Sequence, residues 1–273
     1  MHDTHLHQRP GHHLWLIAGT GEGPRLAQTL LARGWRLRVS LVGAAAARPY
    51  PKQNDLELEI GALDGEAAIA ERLEHADASG APFAWVVDAS HPFARVISTD
   101  LAAACRDRSQ PLLRLRRPAL PIDNALVLED LADLAQLDLT GAHLLLAIGA
   151  RRLGEALRHS TAEGHFARLL PTPAALRLAR AAGLEDHQLA CLRPGSVPSL
   201  ADGALERALC RRWGITTVLA RQSGGLTERL WREVADQEGL RLLLLRRPPE
   251  AATAECLPLE ELLEKLGSPP PPL

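Results

Sequence analysis

Leu-Trp-Leu-Ile-Ala-Gly-Thr-Gly-Glu-Gly-Pro, at positions 14–24, is a continuous apolar run followed by a turn rich in glycine. The run is typical of a strand buried on both faces, and Leu26–Leu31 has the apolar period of a helix. Strand, glycine turn and helix begin a βαβ unit, whose turn can hold an anion such as a pyrophosphate. The candidate ligand-binding residues of this turn are Gly19, Thr20, Gly21 and Glu22. A tight turn that binds nothing would use similar residues, and Pro24 stands where the dinucleotide fingerprint has its last glycine.

A second strand-to-helix turn lies in Ala84–Arg95, which reads Ala-Trp-Val-Val-Asp-Ala-Ser-His-Pro-Phe-Ala-Arg. Trp85–Val87 predicts a buried strand, and Phe93–Arg108 has the period of a helix that Pro92 fits at its first turn. Ligands bind at the carboxyl ends of strands in open α/β sheets, so a polar cluster at this place predicts a site. The cluster consists of Asp88, Ser90 and His91. The same residues are compatible with a well-capped helix that binds nothing.

The second strand, Trp35–Val42, bears on the identity of a nicotinamide cofactor. In nicotinamide-binding folds an acidic residue near the end of this strand holds the ribose 2′-hydroxyl, whereas arginine suits a 2′-phosphate. No acid stands at this strand end; Ser40 is present, Gly43 closes the strand, and Arg48 follows a short alanine run. These residues favour NADPH over NADH.

Strands and helices alternate along the chain, which implies parallel, doubly wound sheets. Residues 116–121, Arg-Arg-Pro-Ala-Leu-Pro, break this rhythm and predict a domain boundary. The predicted fold class is α/β, with two Rossmann-like doubly wound parallel-sheet domains facing a cleft. We expect a flexible leader at 1–13, an N-terminal dinucleotide-binding domain at 14–118, a C-terminal substrate domain at 119–267 and a loose tail at 268–273. Leu257–Leu266 is predicted to be the last helix of the second domain.

Arginines gather at or near the predicted strand ends of the second half. They are Arg151, Arg152, Arg168, Arg221, Arg246 and Arg247. The segment Arg221–Gly225 resembles a loop that binds phosphate or carboxylate, because Gly224 and Gly225 allow close backbone approach and Ser223 offers a donor. Taken together, these planar guanidinium groups predict a cleft for a ligand with several acidic groups. Each arginine taken singly is better explained as a solvated side chain or a helix cap.

Composition argues against several classes of protein. The 273 residues are 46% hydrophobic with a formal net charge of −2, and no apolar run reaches the length of a membrane span. The slightly acidic balance, with three Phe and one Tyr, disfavours nucleic-acid binding. The four cysteines form no Cys-x-x-Cys and the chain has no signal-peptide core, so we expect a cytoplasmic protein without a metal site or a disulfide framework. A metal-binding tail in the histidine-rich residues 1–13 is the weaker alternative.

In their order along the chain, these motifs resemble those of the precorrin-6A reductase family of cobalamin biosynthesis. Asp88–Ala94 is the most specific, since Asp-Ala-Ser-His-Pro-Phe-Ala is similar to that family's Asp-Ala-Thr-His-Pro-Phe-Ala. Gly19–Glu22 is similar to its Gly-Gly-Thr-x-Glu turn, and Ser40–Gly43 to its Ser-Leu-x-Gly. Three shorter motifs follow in the family's order: Arg168–Pro171, Ser223–Gly225 and Arg246–Pro248. Ala44 stands where the family often has an arginine, which leaves Arg48 as the candidate for a 2′-phosphate.

The resemblance implies hydride transfer from NADPH to one double bond of the precorrin-6A macrocycle, giving precorrin-6B. The implied cofactor-binding residues are Gly19, Thr20, Gly21, Glu22, Ser40, Gly43, Arg48 and Ser90. Those implied for the acetate and propionate groups of the substrate are Arg151, Arg168, Arg221, Ser223, Gly224 and Gly225. His91, with Asp88 nearby, is a candidate proton donor, because imidazole titrates near neutral pH. Alternatively, His91 caps the turn or contacts the cofactor, and the proton comes from solvent or from the substrate's own carboxyl groups.

Other functions stay open at this point. A variant of the same reaction uses NADH and a cobalt-loaded macrocycle. A non-catalytic module that senses a dinucleotide needs a docking surface and no second ligand site, which the arginine-rich strand ends disfavour. A glycosyl or methyl transferase with two lobes would bind a sugar nucleotide or S-adenosylmethionine instead of the nicotinamide cofactor.

Overall fold

The structure is a computed structural model that describes residues 12–192, 203–250 and 254–269. The chain divides into two compact units, with one break after Pro118 and a second before Pro248. Each unit contains a sheet of six described strands, and every strand pairing in both sheets is parallel. The predicted parallel α/β class is therefore confirmed.

The first unit has the strand order of the dinucleotide-binding Rossmann fold, β3-β2-β1-β4-β5-β12. Its strands are β1 (His13–Ala18), β2 (Arg36–Leu41), β3 (Leu56–Ile60), β4 (Trp85–Ala89), β5 (Leu112–Leu115) and β12 (Glu255–Leu257). Its helices are α1 (Glu22–Ala32), α2 (Ala44–Ala47), α3 (Gly65–Ala78), α4 (Arg95–Asp107) and α9 (Leu259–Leu266).

The second unit repeats the same spatial plan, with the order β9-β8-β7-β10-β11-β6. Its strands are β6 (Ala125–Leu128), β7 (His143–Ala147), β8 (Gly164–Leu169), β9 (Leu189–Cys191), β10 (Thr217–Arg221) and β11 (Arg241–Leu245). Its helices are α5 (Leu153–His159), α6 (Pro173–Ala181), α7 (Ala204–Trp213) and α8 (Leu226–Glu238), with short 3₁₀ turns at Leu131–Gln136, Ala150–Arg152 and Asp186–Gln188.

The two units exchange their sixth strands. The strand that follows β5 along the chain, β6, pairs with β11 of the second unit, and β12 at the end of the chain pairs with β5 of the first. The prediction that residues 119–267 form one C-terminal domain is therefore wrong for its last part. The segment from Pro248 onward belongs to the first unit, because α9 buries Leu262 and Leu266 in the core beside β1 and α1.

The first sheet is buried on both faces, which explains the unbroken apolar run in β1. Leu14 and Leu16 face one core cluster, formed with α1 and α9, and Trp15 and Ile17 face the other, formed with α3 and α4. All six residues of β1 are buried. The strand begins at His13, the last residue of the predicted leader, which pairs with Arg36 of β2 and whose ring bonds the Ala81 carbonyl oxygen at 3.0 Å.

Two further boundaries differ from the sequence prediction. Helix α4 begins at Arg95 and not at Phe93, since Pro92 and Phe93 form a turn before it. The last helix begins at Leu259, and residues 255–257, partly assigned to that helix, form β12 instead. Pairing with β5 bonds the backbone of this segment into the sheet, and the Arg116 N–H donates to the Leu257 carbonyl oxygen at 2.8 Å.

Among the described residues, no helix has the length and apolar content that a membrane span requires. The same residues contain no group of three or more His, Cys, Asp or Glu side chains arranged to hold a metal ion. The predicted leader up to residue 11 and the predicted tail from residue 270 lie outside the described part of the chain.

We expect Leu262→Ala to lower the free energy of unfolding by about 2–5 kcal/mol, because it removes a fully buried side chain from the core of the first unit. The matched control is Leu259→Ala on the same helix, whose side chain is 43% exposed and whose loss should cost little. Urea denaturation of both variants measures the difference. Equal stability of the two variants would contradict the packing of α9 in this core.

Candidate functional site

The turn after β1 leaves open space above two of its glycines. A Cβ atom at Gly19 or Gly21 would meet nothing within 4 Å, and both residues are exposed. Gly23 differs, because a Cβ there would lie 2.9 Å from the Cβ of Ala18 and would collide with the Tyr50 hydroxyl. Gly23 therefore allows the close helix-to-strand packing that the third fingerprint glycine usually provides. The open backbone at Gly19 and Gly21 fits a pyrophosphate at the N-terminus of α1.

Arg117, which follows β5, joins this turn to the turn after β4. Its Nε donates to Glu22 Oε1 at 2.9 Å, and one terminal nitrogen donates to Thr20 Oγ1 at 2.8 Å and to the Ser90 carbonyl oxygen at 3.4 Å. The side chain is 6% exposed. Because β5, β4 and β1 are neighbours in the sheet, Arg117 links polar groups at the carboxyl ends of three strands.

The charge of Glu22 is stabilised by these contacts. Desolvation by burial raises the pKa of Glu22, but the Arg117 guanidinium and the Thr20 hydroxyl outweigh it and hold the pKa below its ordinary value. Glu22 is therefore ionised at neutral pH, in the first turn of α1, where a negative charge is favoured by the helix dipole.

The turn after β4 is built on a second buried arginine. Arg114, on β5 and 3% exposed, forms an ion pair with Asp88 and also bonds Ser98 and Glu250. Asp88 in turn accepts a hydrogen bond from the Ser90 backbone N–H at 2.9 Å. The contacts of Asp88 assign it to neutralising Arg114 and shaping the turn, which differs from the predicted role beside His91.

His91 lies half-buried at the start of the same turn, before α4. Its Nδ1 accepts a hydrogen bond from the Phe93 backbone N–H at 3.2 Å. In the neutral imidazole the proton is therefore on Nε2, which makes that atom a hydrogen-bond donor. The ring therefore caps the turn through Nδ1, one of the roles that the sequence left open for His91.

The residues predicted for a 2′-phosphate are found in different environments. The Ser40 hydroxyl is buried, accepting from Trp15 Nε1 at 2.9 Å and donating to Glu59 Oε2 at 3.2 Å, so it is bonded within the sheet face. Gly43 lies between β2 and α2, where a Cβ would meet nothing within 4 Å. Arg48 follows α2 and is exposed.

In the second unit, Arg221 ends β10 and lies against Gly149, which follows the neighbouring β7. A Cβ at Gly149 would lie 3.7 Å from a terminal nitrogen of Arg221. Burial, together with the positive charge of Arg152, lowers the pKa of Arg221 to about 10. Arg152 also pairs with Glu155, through Nε at 2.5 Å and a terminal nitrogen at 3.0 Å, so part of this positive charge is compensated within the turn.

The loop that follows Arg221 is largely bonded within itself. The Gly224 N–H donates to Glu228 Oε2 at 2.7 Å, and the Gly225 N–H donates to Ser223 Oγ at 3.4 Å. Glu228 is fully buried and its other oxygen accepts two bonds from Arg232, at 2.9 and 2.8 Å. The sequence predicts that Gly224 binds a ligand, but a carboxylate of α8 already accepts its N–H. The Ser223 hydroxyl is also bonded within the loop, and its side chain is buried.

The remaining predicted arginines differ in accessibility. Arg151 is exposed in the 3₁₀ turn after β7, where it can meet a ligand. Arg168, near the end of β8, is 7% exposed and forms an ion pair with Glu206 of α7 at 3.5 Å. Desolvation lowers the pKa of Arg168 and Glu206 partly restores it. Within the described residues, two of its guanidinium nitrogens, Nε and one terminal nitrogen, have no hydrogen-bond partner.

Sequence reasoning missed Arg114, Arg117 and Glu228. Arg116-Arg117-Pro118 indicates a domain boundary. An arginine directly after a short apolar strand also lies at the carboxyl end of that strand, where ligands bind, and this is the signal that could have found Arg117. Arg114 interrupts the apolar strand Leu-Leu-Arg-Leu, and a charge inside a buried strand is a sign of a paired site.

The strand order, the glycine turn and the polar groups at the strand ends define a protein of the Rossmann-like α/β class. A family model described as precorrin-6x reductase CbiJ/CobK matches residues 13–266. A cobalt-precorrin-6A reductase of Synechocystis sp. is 33% identical over 241 residues, covering 86% of this chain and 88% of that protein. A precorrin-6A reductase of Rhodobacter capsulatus is 30% identical over 254 residues, covering 92% and 94%. A solved structure titled CobK precorrin-6A reductase has a TM-score of 0.73 at 26% identity, covering 94% of this chain and 98% of that one.

The chain belongs to the precorrin-6x reductase family, a family of oxidoreductases. The resemblance drawn from the sequence motifs is therefore confirmed. Membership implies a nicotinamide cofactor and a tetrapyrrole substrate.

Proposed function

We propose that this chain is a precorrin-6A reductase that uses NADPH and yields precorrin-6B in the cytoplasm. The first unit holds the nicotinamide cofactor and the second unit holds the acidic rim of the macrocycle. NADPH supplies a hydride to one carbon of a macrocycle double bond, and a proton completes the reduction at the other carbon, leaving NADP⁺. The observation that supports this most directly is the open glycine turn at the N-terminus of α1, on a sheet with the Rossmann strand order.

The choice of NADPH is supported by charge at the end of β2. Residues 42–47 contain no acid that would hold a ribose 2′-hydroxyl, and Arg48 follows them with an exposed side chain. The Ser40 hydroxyl, bonded to Trp15 and Glu59, adds nothing to this choice. The alternative is NADH with a cobalt-containing macrocycle. The choice between NADPH and NADH rests on Arg48.

Arg48→Ala should raise the KM for NADPH by about 10- to 100-fold, because the variant loses a charged partner of the 2′-phosphate. The KM for NADH should change little. Initial rates of cofactor oxidation with metal-free and cobalt-containing macrocycle measure both values. Arg106→Ala, which removes an exposed arginine from the far end of α4, is the control. Equal changes for NADPH and NADH would contradict recognition of a 2′-phosphate by Arg48.

The carboxyl edge of the second sheet suits a flat ring with carboxylates at its rim. Arg221 ends β10, and Arg151 is exposed after the neighbouring β7. Leu170, after β8, and Leu226, at the start of α8, are 54% and 61% exposed. Exposed leucines beside arginines offer an apolar surface for the ring and cationic groups for its rim.

Arg221→Met should raise the KM for the macrocycle by about 10- to 100-fold and leave the KM for NADPH unchanged, since a charged contact to carboxylate is lost. Arg212→Met, at an exposed position near the end of α7, is the matched control. Steady-state kinetics with each substrate varied in turn separates the two constants. A rise in the KM for NADPH alone would contradict the assignment of Arg221 to the macrocycle.

We assign His91 as the proton donor, through Nε2. The bond from the Phe93 N–H to Nδ1 orients the ring and places the proton of the neutral imidazole on Nε2. An imidazole is the side chain used most often for general acid catalysis.

His91→Asn should lower kcat by about 10²- to 10⁴-fold, because it loses the proton donor while its side-chain oxygen can still accept the Phe93 N–H. His91→Ala loses both the donor and the cap. Single-turnover rates of macrocycle reduction compare the two variants with the wild-type chain. Near wild-type rates for His91→Asn would mean that His91 only holds the shape of the turn and that the proton comes from solvent or from the substrate.

A further inference from the structure

The proposed cofactor site contains a negative charge where a second one has to bind. Glu22 lies in the first turn of α1, and 36% of its side chain is exposed. The same helix N-terminus is the place where we propose the pyrophosphate. A carboxylate and a pyrophosphate at one helix end repel each other, so an uncompensated Glu22 would weaken cofactor binding.

Arg117 is placed to compensate this charge. It donates to Glu22 at 2.9 Å and is itself 6% exposed, so that the ion pair is screened little by solvent. The same guanidinium donates to Thr20 Oγ1 at 2.8 Å, which fixes the residue between the two open glycines. Strand spacing of about 4.8 Å sets β5 two strands from β1, a span that a long, forked side chain can bridge.

We infer that Arg117 is a positioning residue for the cofactor, which neutralises Glu22 and holds the glycine turn in the shape that accepts a pyrophosphate. The inference rests on the proposed function, because it requires a nucleotide at this turn. Arg117 acts through Glu22 and Thr20, and its bond to the Ser90 carbonyl oxygen ties the turn to the end of β4.

The lowered pKa of Glu22 agrees with this arrangement. The Arg117 charge and the hydrogen bond from Thr20 overcome the burial of the carboxyl group. The pair therefore has no net charge at neutral pH, and the positive end of α1 is left for the ligand.

A double-mutant comparison of NADP⁺ binding by isothermal titration calorimetry tests the inference. Arg117→Met should weaken NADP⁺ binding by about 10- to 100-fold, because the Glu22 carboxylate at the N-terminus of α1 is left without its partner. Adding Glu22→Gln to that variant should restore most of the lost affinity, and Glu22→Gln alone is measured to complete the double-mutant cycle. The neighbouring Arg116→Met, at an exposed position, is the matched control and should bind like wild type.

Restoration of NADP⁺ binding by Glu22→Gln supports charge compensation. If Arg117 acted only by its packing, removing the charge of Glu22 would not recover the affinity lost with Arg117. If Arg117→Met does not fold, the same restoration is required in Arg117→Gln, which removes the charge but keeps a hydrogen-bond donor. The inference is overturned if the Arg117 variant folds, the wild-type chain binds NADP⁺, and Glu22→Gln does not restore binding to the Arg117 variant. Absence of NADP⁺ binding by the wild-type chain overturns the proposed function and the inference together.

Discussion

Two buried arginines, one on β5 and one just after it, organise the polar edge of the first unit. Arg114 pairs with Asp88 at the end of the neighbouring β4, and Arg117 pairs with Glu22 in the helix that follows β1, two strands away. Buried charges are tolerated only when paired, and removing one partner of a buried pair costs about 3–5 kcal/mol. The turns after β1 and β4 therefore keep one shape, and that shape leaves Gly19 and Gly21 open.

At the first sheet, the residues that hold the shape of the turn differ from the residue proposed for proton transfer. Asp88, Ser98 and Glu250 surround Arg114, and their contacts bear on the rigidity of the turn. His91 stands at the same turn with one ring nitrogen capped and the other protonated. In the second unit Glu228 caps the loop after β10 from inside, and Arg152 near Arg221 pairs with Glu155.

Much of this could be predicted from the sequence, and the failures have physical causes. The run Leu14–Ala18 and the glycines after it form a local pattern, so the parallel α/β class and the first turn were predictable. The exchange of β6 and β12 was not, because strands of three or four residues carry no period and their partners lie more than 100 residues away. The sequence marks Arg117 only as part of a domain boundary, since its pairing with Glu22 depends on three strands meeting at one edge. A glycine loop that binds a ligand looks the same in sequence as one capped by a buried carboxylate, so the partner of Gly224 is not predictable.

The central claim is that the open turn at α1 holds a nucleotide whose hydride reaches an acid-rimmed macrocycle. The most direct test incubates the wild-type chain with precorrin-6A and NADPH that carries deuterium at C4 of the nicotinamide, and analyses the macrocycle by mass spectrometry and NMR. The account predicts a reduced macrocycle with one deuterium at a single ring carbon, formed in proportion to NADP⁺. Binding of both molecules without transfer of the label from either face of the nicotinamide would contradict it.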